Sequence, residues 1–190
     1  MSGYAIFGGS FNPPHKAHLY IVTQYHRLFP GHKVFIIPCH YPPHKKKTFF
    51  LKDKDRLELT RILFSGKKYT SILPYEINKK GISYTIDTVK YIKKKYSISK
   101  PLHIIIGDDL LPELDQWKDF DKLQKQAVFI CFNRYGRRQH TDNLYYYSIK
   151  PYPLSSTALR KDMKKLYTGR KLNRYLTRRQ ITYLKKEKIL

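Results

Sequence analysis

Short apolar runs alternate along this chain with longer segments in which apolar residues recur every three or four positions. Runs of this kind are typical of parallel strands, which are buried on both faces of a sheet. The longer segments have the spacing of amphipathic helices. The runs predict strands at Tyr4 to Phe7, Val34 to Pro38, Leu102 to Ile106, Ala127 to Phe132 and Leu144 to Ile149, with a weaker one at Thr70 to Leu73.

The helical pattern occupies the segments between these strands. It predicts helices at His15 to Phe29, Asp53 to Phe64, Ile86 to Tyr96 and Thr177 to Lys188, and one that opens near Leu154. Strands and helices that alternate in this way predict an α/β fold, an open parallel sheet with helices on both faces. The 190 residues suit a single domain over positions 1–190. Asp55 and Arg56 are expected at the surface, and Ser83 or Thr85 is expected to cap the helix that follows.

A glycine pair follows the first predicted strand. Gly8 and Gly9 allow backbone angles that other residues avoid, so their N–H groups can approach a ligand closely, and Ser10 adds a hydroxyl. Two prolines then lead into a helix with His15 and His18 on one face of its first turn. Free N–H groups and the helix dipole favour anionic oxygen, above all phosphate. The alternative is an ordinary strand, turn and helix; zinc is disfavoured because a structural site needs four ligands.

Hydroxyl residues open the helix near the far end of the chain. Ser155, Ser156 and Thr157 offer hydroxyls and N–H groups, and Arg160 adds a planar cation one turn later. Such a set suits phosphate oxygens. Ordinary helix capping explains the isolated string better.

Three further positions could bind a ligand. The loop at His44 to Lys47 is basic and follows a strand, where open α/β sheets bind ligands, although a charge run can also be merely solvated. Asp108 and Asp109 follow another strand, as ribose-binding carboxylates do, and could equally cap a helix. Trp117, the only tryptophan, could pack against a helix or stack on a planar ring.

The net charge of +24 attracts polyanions, yet abundant Lys with Tyr, Ile and Asn also fits a genome-wide compositional bias. Neither explanation is preferred. Cys39 and Cys131 lie in or beside predicted strands without the spacing of a secreted disulfide framework, so buried free thiols are expected. No leader or membrane span is visible, which favours the cytoplasm.

The first motif resembles a known signature. GGSFNPPHKAH is similar to the GxFxPxHxGH pattern of the nucleotidyltransferase superfamily, which has a Rossmann-like fold. Ala17 stands where the pattern has Gly, and Asn12 stands where Asp is common. The segments PPHK, SYTIDT, GDD with Trp117, NRYG and SSTALR resemble, in the same order, those of bacterial nicotinate mononucleotide adenylyltransferases. Tyr135 replaces the proline of that family's RPG turn.

The resemblance implies a role for each matching residue. It assigns catalysis to His15, His18 and Arg160. It assigns ATP binding to Gly8, Gly9, Ser10, Phe11, His18, Asp109, Ser155, Thr157 and Arg160. It assigns mononucleotide binding to His44, Lys45, Thr85, Trp117 and Arg134. Asp109 is preferred to Asp108 because the family has its tryptophan eight residues after the matching carboxylate, as here.

The implied reaction transfers AMP from ATP to nicotinate mononucleotide, with Mg²⁺ brought in by ATP and no metal site formed by the protein. A different acceptor, such as nicotinamide mononucleotide or phosphopantetheine, is the nearest alternative within the superfamily. A basic nucleic-acid-binding protein is the alternative outside it, although no zinc-ligand spacing, RNA-recognition signature or clear helix-turn-helix supports nucleic acid as a partner. No membrane partner is expected, and a homo-oligomer is left open.

Overall fold

The computed structural model describes residues 3–43, 50–133, 143–164 and 169–190. Six strands form one sheet in the order β3-β2-β1-β4-β5-β6. Every neighbouring pair is parallel. The strands are β1 (Tyr4–Gly9), β2 (Lys33–Pro38), β3 (Thr70–Ile72), β4 (Leu102–Gly107), β5 (Ala127–Asn133) and β6 (Leu144–Ser148). The predicted open parallel sheet is confirmed.

Helices connect the strands. They are α1 (Lys16–Leu28), α2 (Asp53–Phe64), α3 (Tyr75–Lys79), α4 (Thr85–Lys95), a 3₁₀ helix (Asp108–Gln116), α5 (Phe120–Gln124), α6 (Ser156–Lys164), α7 (Gly169–Leu172) and α8 (Arg178–Lys186). Consecutive parallel strands cannot be joined by a tight turn, and helices stand between β1 and β2, between β2 and β3, between β3 and β4, and between β4 and β5. The helices α6, α7 and α8 follow β6.

Alternate residues of the central strands face two different cores. In β1, Ile6 joins a cluster with Ile86 and Val89 of α4, whereas Phe7 joins a cluster with Val22 of α1 and Phe64 of α2. Successive side chains of a strand point to opposite faces, so an apolar run must be covered on both sides. The sheet therefore has α1 and α2 on one face and α4 on the other.

A third core lies between α1, α2 and the C-terminal helices. It includes Leu59, Leu159, Leu176 and Leu184, together with Ala17 in the first turn of α1. Ala17 is only 6% exposed. The extra methyl of this residue, compared with the glycine of the family pattern, is thus buried against the C-terminal helices.

Two local predictions are wrong. Asp55 and Arg56 are buried rather than at the surface, and the exposed fraction of Arg56 is 0%. The N-cap of α4 is Tyr84 with no side-chain cap, while the hydroxyl of Ser83 accepts a hydrogen bond from the His40 backbone N–H at 3.0 Å. Burial of Arg56 is possible because its guanidinium finds oxygen acceptors inside the protein.

Cys39 and Cys131 are buried free thiols, as the sequence predicts. Across the described residues, no helix combines the length and the apolar composition that a membrane crossing requires.

Candidate nucleotide-binding site

The centre of the sheet forms a crevice where the strand order reverses. The chain proceeds from β1 to β2 and β3 on one side, and from β4 to β5 and β6 on the other. The carboxyl ends of β1 and β4 are neighbours, because Ile6 pairs with Ile104 in the parallel register. Open α/β sheets bind ligands at such a switch point. The glycine pair and the Asp108–Asp109 pair both lie there.

The unusual backbone of the first loop is not at its glycines. Gly8 and Gly9 are the last residues of β1, where they pair with β2, and neither has a positive φ. The positive φ of 44° is at Phe11, whose ring is 1% exposed. A Cβ built on Gly8 would meet no atom within 4 Å. The expectation of glycine-specific angles is therefore wrong at this pair, while open space at Gly8 leaves room for a ligand.

The two predicted histidines form a pair at the N-terminus of α1. His15 is the N-cap and is 5% exposed, and the ring centroids of His15 and His18 are 3.9 Å apart. The Nδ1 atom of His18 accepts a hydrogen bond from the His15 backbone N–H at 3.0 Å. A neutral imidazole that accepts at Nδ1 has its proton on Nε2. His18 can therefore donate a hydrogen bond from Nε2.

The second predicted motif lies against this loop. Arg160 donates to the carbonyl oxygen of Asn12 at 2.9 Å and to the Thr157 hydroxyl at 3.0 Å. Ser156 donates to the carbonyl oxygen of Pro13 at 3.1 Å. The Ser155 hydroxyl accepts from the Ala158 N–H at 3.1 Å, so it caps α6. The structure thus brings both ends of the chain together.

Arg56 is a site residue that the sequence reasoning missed. Its guanidinium donates to the carbonyl oxygens of Ser10 at 2.6 Å and Cys39 at 2.7 Å, and to Asp53 at 2.5 Å. The guanidinium of Arg56 therefore connects the loop after β1 to the end of β2 through hydrogen bonds. A signal in the sequence could have indicated this burial: the spacing of Arg56 from Leu59 places Arg56 on the apolar face of α2.

Two predicted mononucleotide residues lie on the other side of the crevice. Thr85 begins α4, and Trp117 follows the 3₁₀ helix, where its ring meets Phe129 edge to face at 6.2 Å between centroids. The residues next to them are in contact. The ammonium of Lys118, which follows Trp117, lies 4.5 Å from the centroid of the ring of Tyr84, which precedes Thr85. Trp117 is half-buried. It therefore packs against the core and also reaches the surface.

A buried carboxyl group supports the start of α4. Glu76 is 8% exposed and accepts a hydrogen bond from the Thr88 hydroxyl at 2.5 Å. Burial raises the pKa of Glu76, while hydrogen bonds from Thr88 and Ser83 oppose that rise. This network links the segment containing Thr85 to α3.

Of the remaining predicted residues, some lie in the described part of the chain and others do not. Asp109 is exposed in the first turn of the 3₁₀ helix, and Asp108 is buried. Three predicted residues, His44, Lys45 and Arg134, lie outside the described residues. In the part of the chain that is described, no group of three His, Cys, Asp or Glu residues could hold a metal ion.

Comparison with known families identifies the fold and the motifs together. The model of the Cytidylyltransferase-like family matches residues 6–162. This chain belongs to the cytidylyltransferase-like family. The matched region extends from β1 to α6, so this family match includes both motifs that meet at the crevice.

Curated members of the family align over most of the chain. A protein of Bacillus mycoides (strain KBAB4), named "Probable nicotinate-nucleotide adenylyltransferase", is 32% identical over all of this chain and 94% of its own length. A protein of Aliarcobacter butzleri (strain RM4018) with the same name is 38% identical over 70% of this chain and 71% of its own. The resemblance drawn from the motifs is confirmed.

A solved structure has the same fold. Nicotinic acid mononucleotide adenylyltransferase of Plasmodium falciparum, solved as a complex with NaAD, superposes with a TM-score of 0.78. It is 20% identical, and the match covers 98% of this chain and 96% of the other. Similarity at this level establishes the Rossmann-like fold.

Proposed function

We propose that this protein transfers AMP from ATP to nicotinate mononucleotide, which yields nicotinate adenine dinucleotide and pyrophosphate. The main support is the contact between the two motifs, made by Arg160 on Asn12 and by Ser156 on Pro13. One bound triphosphate could reach the histidine pair and the start of α6 together. The curated relatives named nicotinate-nucleotide adenylyltransferase support the choice of acceptor.

The reaction needs no protein nucleophile. An oxygen of the mononucleotide 5′-phosphate attacks the α-phosphorus of ATP, the bond from that phosphorus to the bridging oxygen breaks, and pyrophosphate leaves in line. Catalysis by the protein then consists of positioning and charge stabilisation. His18 donates a hydrogen bond from Nε2 to the α-phosphate oxygens. His15 helps to stabilise the negative charge that develops on those oxygens. The outer phosphates are bound by Ser155, Thr157 and Arg160. Ser155 acts through the N-terminus of α6.

The acceptor half of the site lies toward α4 and the 3₁₀ helix. Thr85 lies beside the nicotinate, and the indole of Trp117 stacks on the pyridine ring. In the ATP half of the site, Asp109 binds a ribose hydroxyl. His44, Lys45 and Arg134 complete the phosphate contacts. Each of these roles is carried over from the family motifs to the matching residue of this chain.

Mg²⁺ enters as part of the substrate. Mg²⁺ bound to ATP would screen the charge on the phosphates and would keep water among its ligands, since Mg²⁺ gives up its water reluctantly and is rarely bound by the protein alone. The cytoplasmic location stays a prediction, and a homo-oligomer stays open.

A pyrophosphate-release assay tests the proposal. The purified protein with MgATP is offered nicotinate mononucleotide, nicotinamide mononucleotide or phosphopantetheine in separate reactions. We expect the fastest release with nicotinate mononucleotide, and formation of the acid dinucleotide confirmed by mass. Release with phosphopantetheine alone, or with none of the three, would overturn the assignment.

A further inference from the structure

Three consecutive carbonyl groups of the first loop accept hydrogen bonds from the last third of the chain. Arg160 binds the oxygen of Asn12, Ser156 binds that of Pro13, and Gln180 of α8 binds that of Pro14 at 3.1 Å. The first two donors belong to the predicted phosphate motif. Gln180 belongs to no motif, and none of the roles described so far involves it.

The Gln180 side chain is completely buried, with an exposed fraction of 0%. Its amide nitrogen donates to the carbonyl oxygens of Pro14 at 3.1 Å and of Leu59 at 3.3 Å. Its amide oxygen accepts from the Thr177 N–H at 3.0 Å. Both donors and the acceptor are used, so the side chain has one orientation. Gln180 therefore joins α8, α2 and the residue directly before His15.

The same C-terminal segment also holds the first turn of α1. The Lys16 N–H donates to the carbonyl oxygen of Tyr175 at 2.9 Å, and the Lys16 ammonium group donates to that of Asn173. Ala17 is buried in the third core, which includes Leu176. The positions on either side of His15 are thus both bonded to residues 173–180.

We propose that Gln180 is a positioning residue for adenylyl transfer, which it supports by fixing the start of α1 that bears His15 and His18. This inference rests on the proposed function. The reason is geometric: transition-state stabilisation needs donors placed to a fraction of an ångström, and a shift of about 1 Å can cost roughly 100-fold in rate. The amide of Gln180, bonded to the carbonyl of Pro14, fixes the position of the start of α1 from outside the crevice.

The test compares two variants of α8. Gln180→Met keeps the length of the side chain and removes its hydrogen bonds. Tyr183→Phe is the matched control, because the Tyr183 hydroxyl docks α8 onto Asp55 at 2.9 Å without contacting the first loop. Both variants are examined as the full chain, at a temperature where circular dichroism shows them folded. Gln180→Leu, which is apolar and also lacks the hydrogen bonds, replaces Gln180→Met if that variant does not fold.

We expect Gln180→Met to lower kcat by about tenfold or more and to leave the KM for ATP within about twofold, because the lost geometry matters mainly in the transition state. Tyr183→Phe should lower the urea midpoint while kcat stays within about twofold. Equal kcat in both variants would overturn the proposal, since α8 would then act on stability alone.

A second measurement does not depend on turnover. The imidazole NMR signals of His18, assigned with a His18→Asn protein, should shift in Gln180→Met and stay in place in Tyr183→Phe. Unchanged His18 signals in Gln180→Met would overturn the positioning role even if the enzyme is active. If the wild-type protein releases no pyrophosphate, the adenylyltransferase proposal fails, and these signals still report whether Gln180 fixes α1.

Discussion

The guanidinium of Arg160 donates a hydrogen bond to the backbone carbonyl oxygen of Asn12, 2.9 Å away, across 148 residues of sequence. This contact places the start of α6 beside the loop that leads to His15. A cation fixed beside two imidazoles and a helix N-terminus favours the binding of a polyphosphate. Five predictions follow from this arrangement and from the rest of the fold.

Replacement of Arg160 by lysine should lower kcat/KM for ATP by about 100-fold, because lysine keeps the charge but loses the planar set of donors. Steady-state kinetics of pyrophosphate release measure this. Lys161→Ala is the control, since Lys161 is the next residue of α6 and is exposed. A loss for Arg160→Lys no larger than that for Lys161→Ala would contradict a specific role of the planar guanidinium.

His18→Asn should lower kcat by about 100-fold or more, because the asparagine lacks a donor where Nε2 lies. The KM for ATP should change less. His26→Asn is the matched control on α1, since His26 stacks on Tyr69 with 3.8 Å between ring centroids. A His18→Asn enzyme with normal turnover would exclude His18 from catalysis.

Trp117→Leu should raise the KM for nicotinate mononucleotide by roughly tenfold and leave that for ATP nearly unchanged, because the stacking surface is lost. Phe120→Leu is the control: its ring also lies against Phe129, at 5.7 Å between centroids. Kinetics with each substrate varied in turn separate the two effects. Similar increases in both constants would argue for a packing role of Trp117.

Arg56→Met should lower the free energy of unfolding by about 3–5 kcal/mol, because the carbonyls of Ser10 and Cys39 and the carboxylate of Asp53 lose a buried charged donor. Urea denaturation measures the change. Arg61→Ala on the same helix should cost no more than about 0.5 kcal/mol, since Arg61 is half exposed. A loss for Arg56→Met as small as that of the control would contradict the role of the buried guanidinium.

Stability should fall as the pH is lowered from about 6.5 toward 4. Burial, aided by the nearby His32, lowers the pKa of His103 from 6.5 to about 4. The unfolded chain therefore binds more protons than the folded one in this range, and acid favours unfolding. One proton gives a slope of at most about 1.4 kcal/mol per pH unit, less for a ring partly in water. Urea midpoints at several pH values measure the slope.

His103→Gln removes this titration and should flatten the slope. The wild-type ring is bound at Nδ1 by the Tyr25 hydroxyl at 2.8 Å, and the same hydroxyl lies 2.7 Å from Nδ1 of His32. Burial lowers the pKa of His32 as well, so some slope should remain. An identical slope in His103→Gln and wild type would assign the acid sensitivity to other groups.

The fold was largely predictable because its central strands are apolar on both faces. Val34 to Pro38 and Leu102 to Ile106 have the continuous apolar composition typical of buried parallel strands, and the structure has them as β2 and β4. The burial of Arg56 and the cap of α4 were not predicted. The spacing of Arg56 from Leu59 indicated a place on the apolar face of α2, but a local pattern does not say which carbonyls and hydroxyls a side chain meets after folding.

The sequence alone determined the α/β class, the family and the two motifs, because strand periodicity, glycine, proline and histidine spacing are local properties of the chain. The tertiary structure alone decided that Arg160 meets Asn12, that Gln180 meets Pro14 and that Arg56 joins the ends of β1 and β2. Those pairs are distant in sequence. The first two come together because the C-terminal helices pack against α1 and α2 in the third core, and the third forms because the parallel strands β1 and β2 end at the same edge of the sheet.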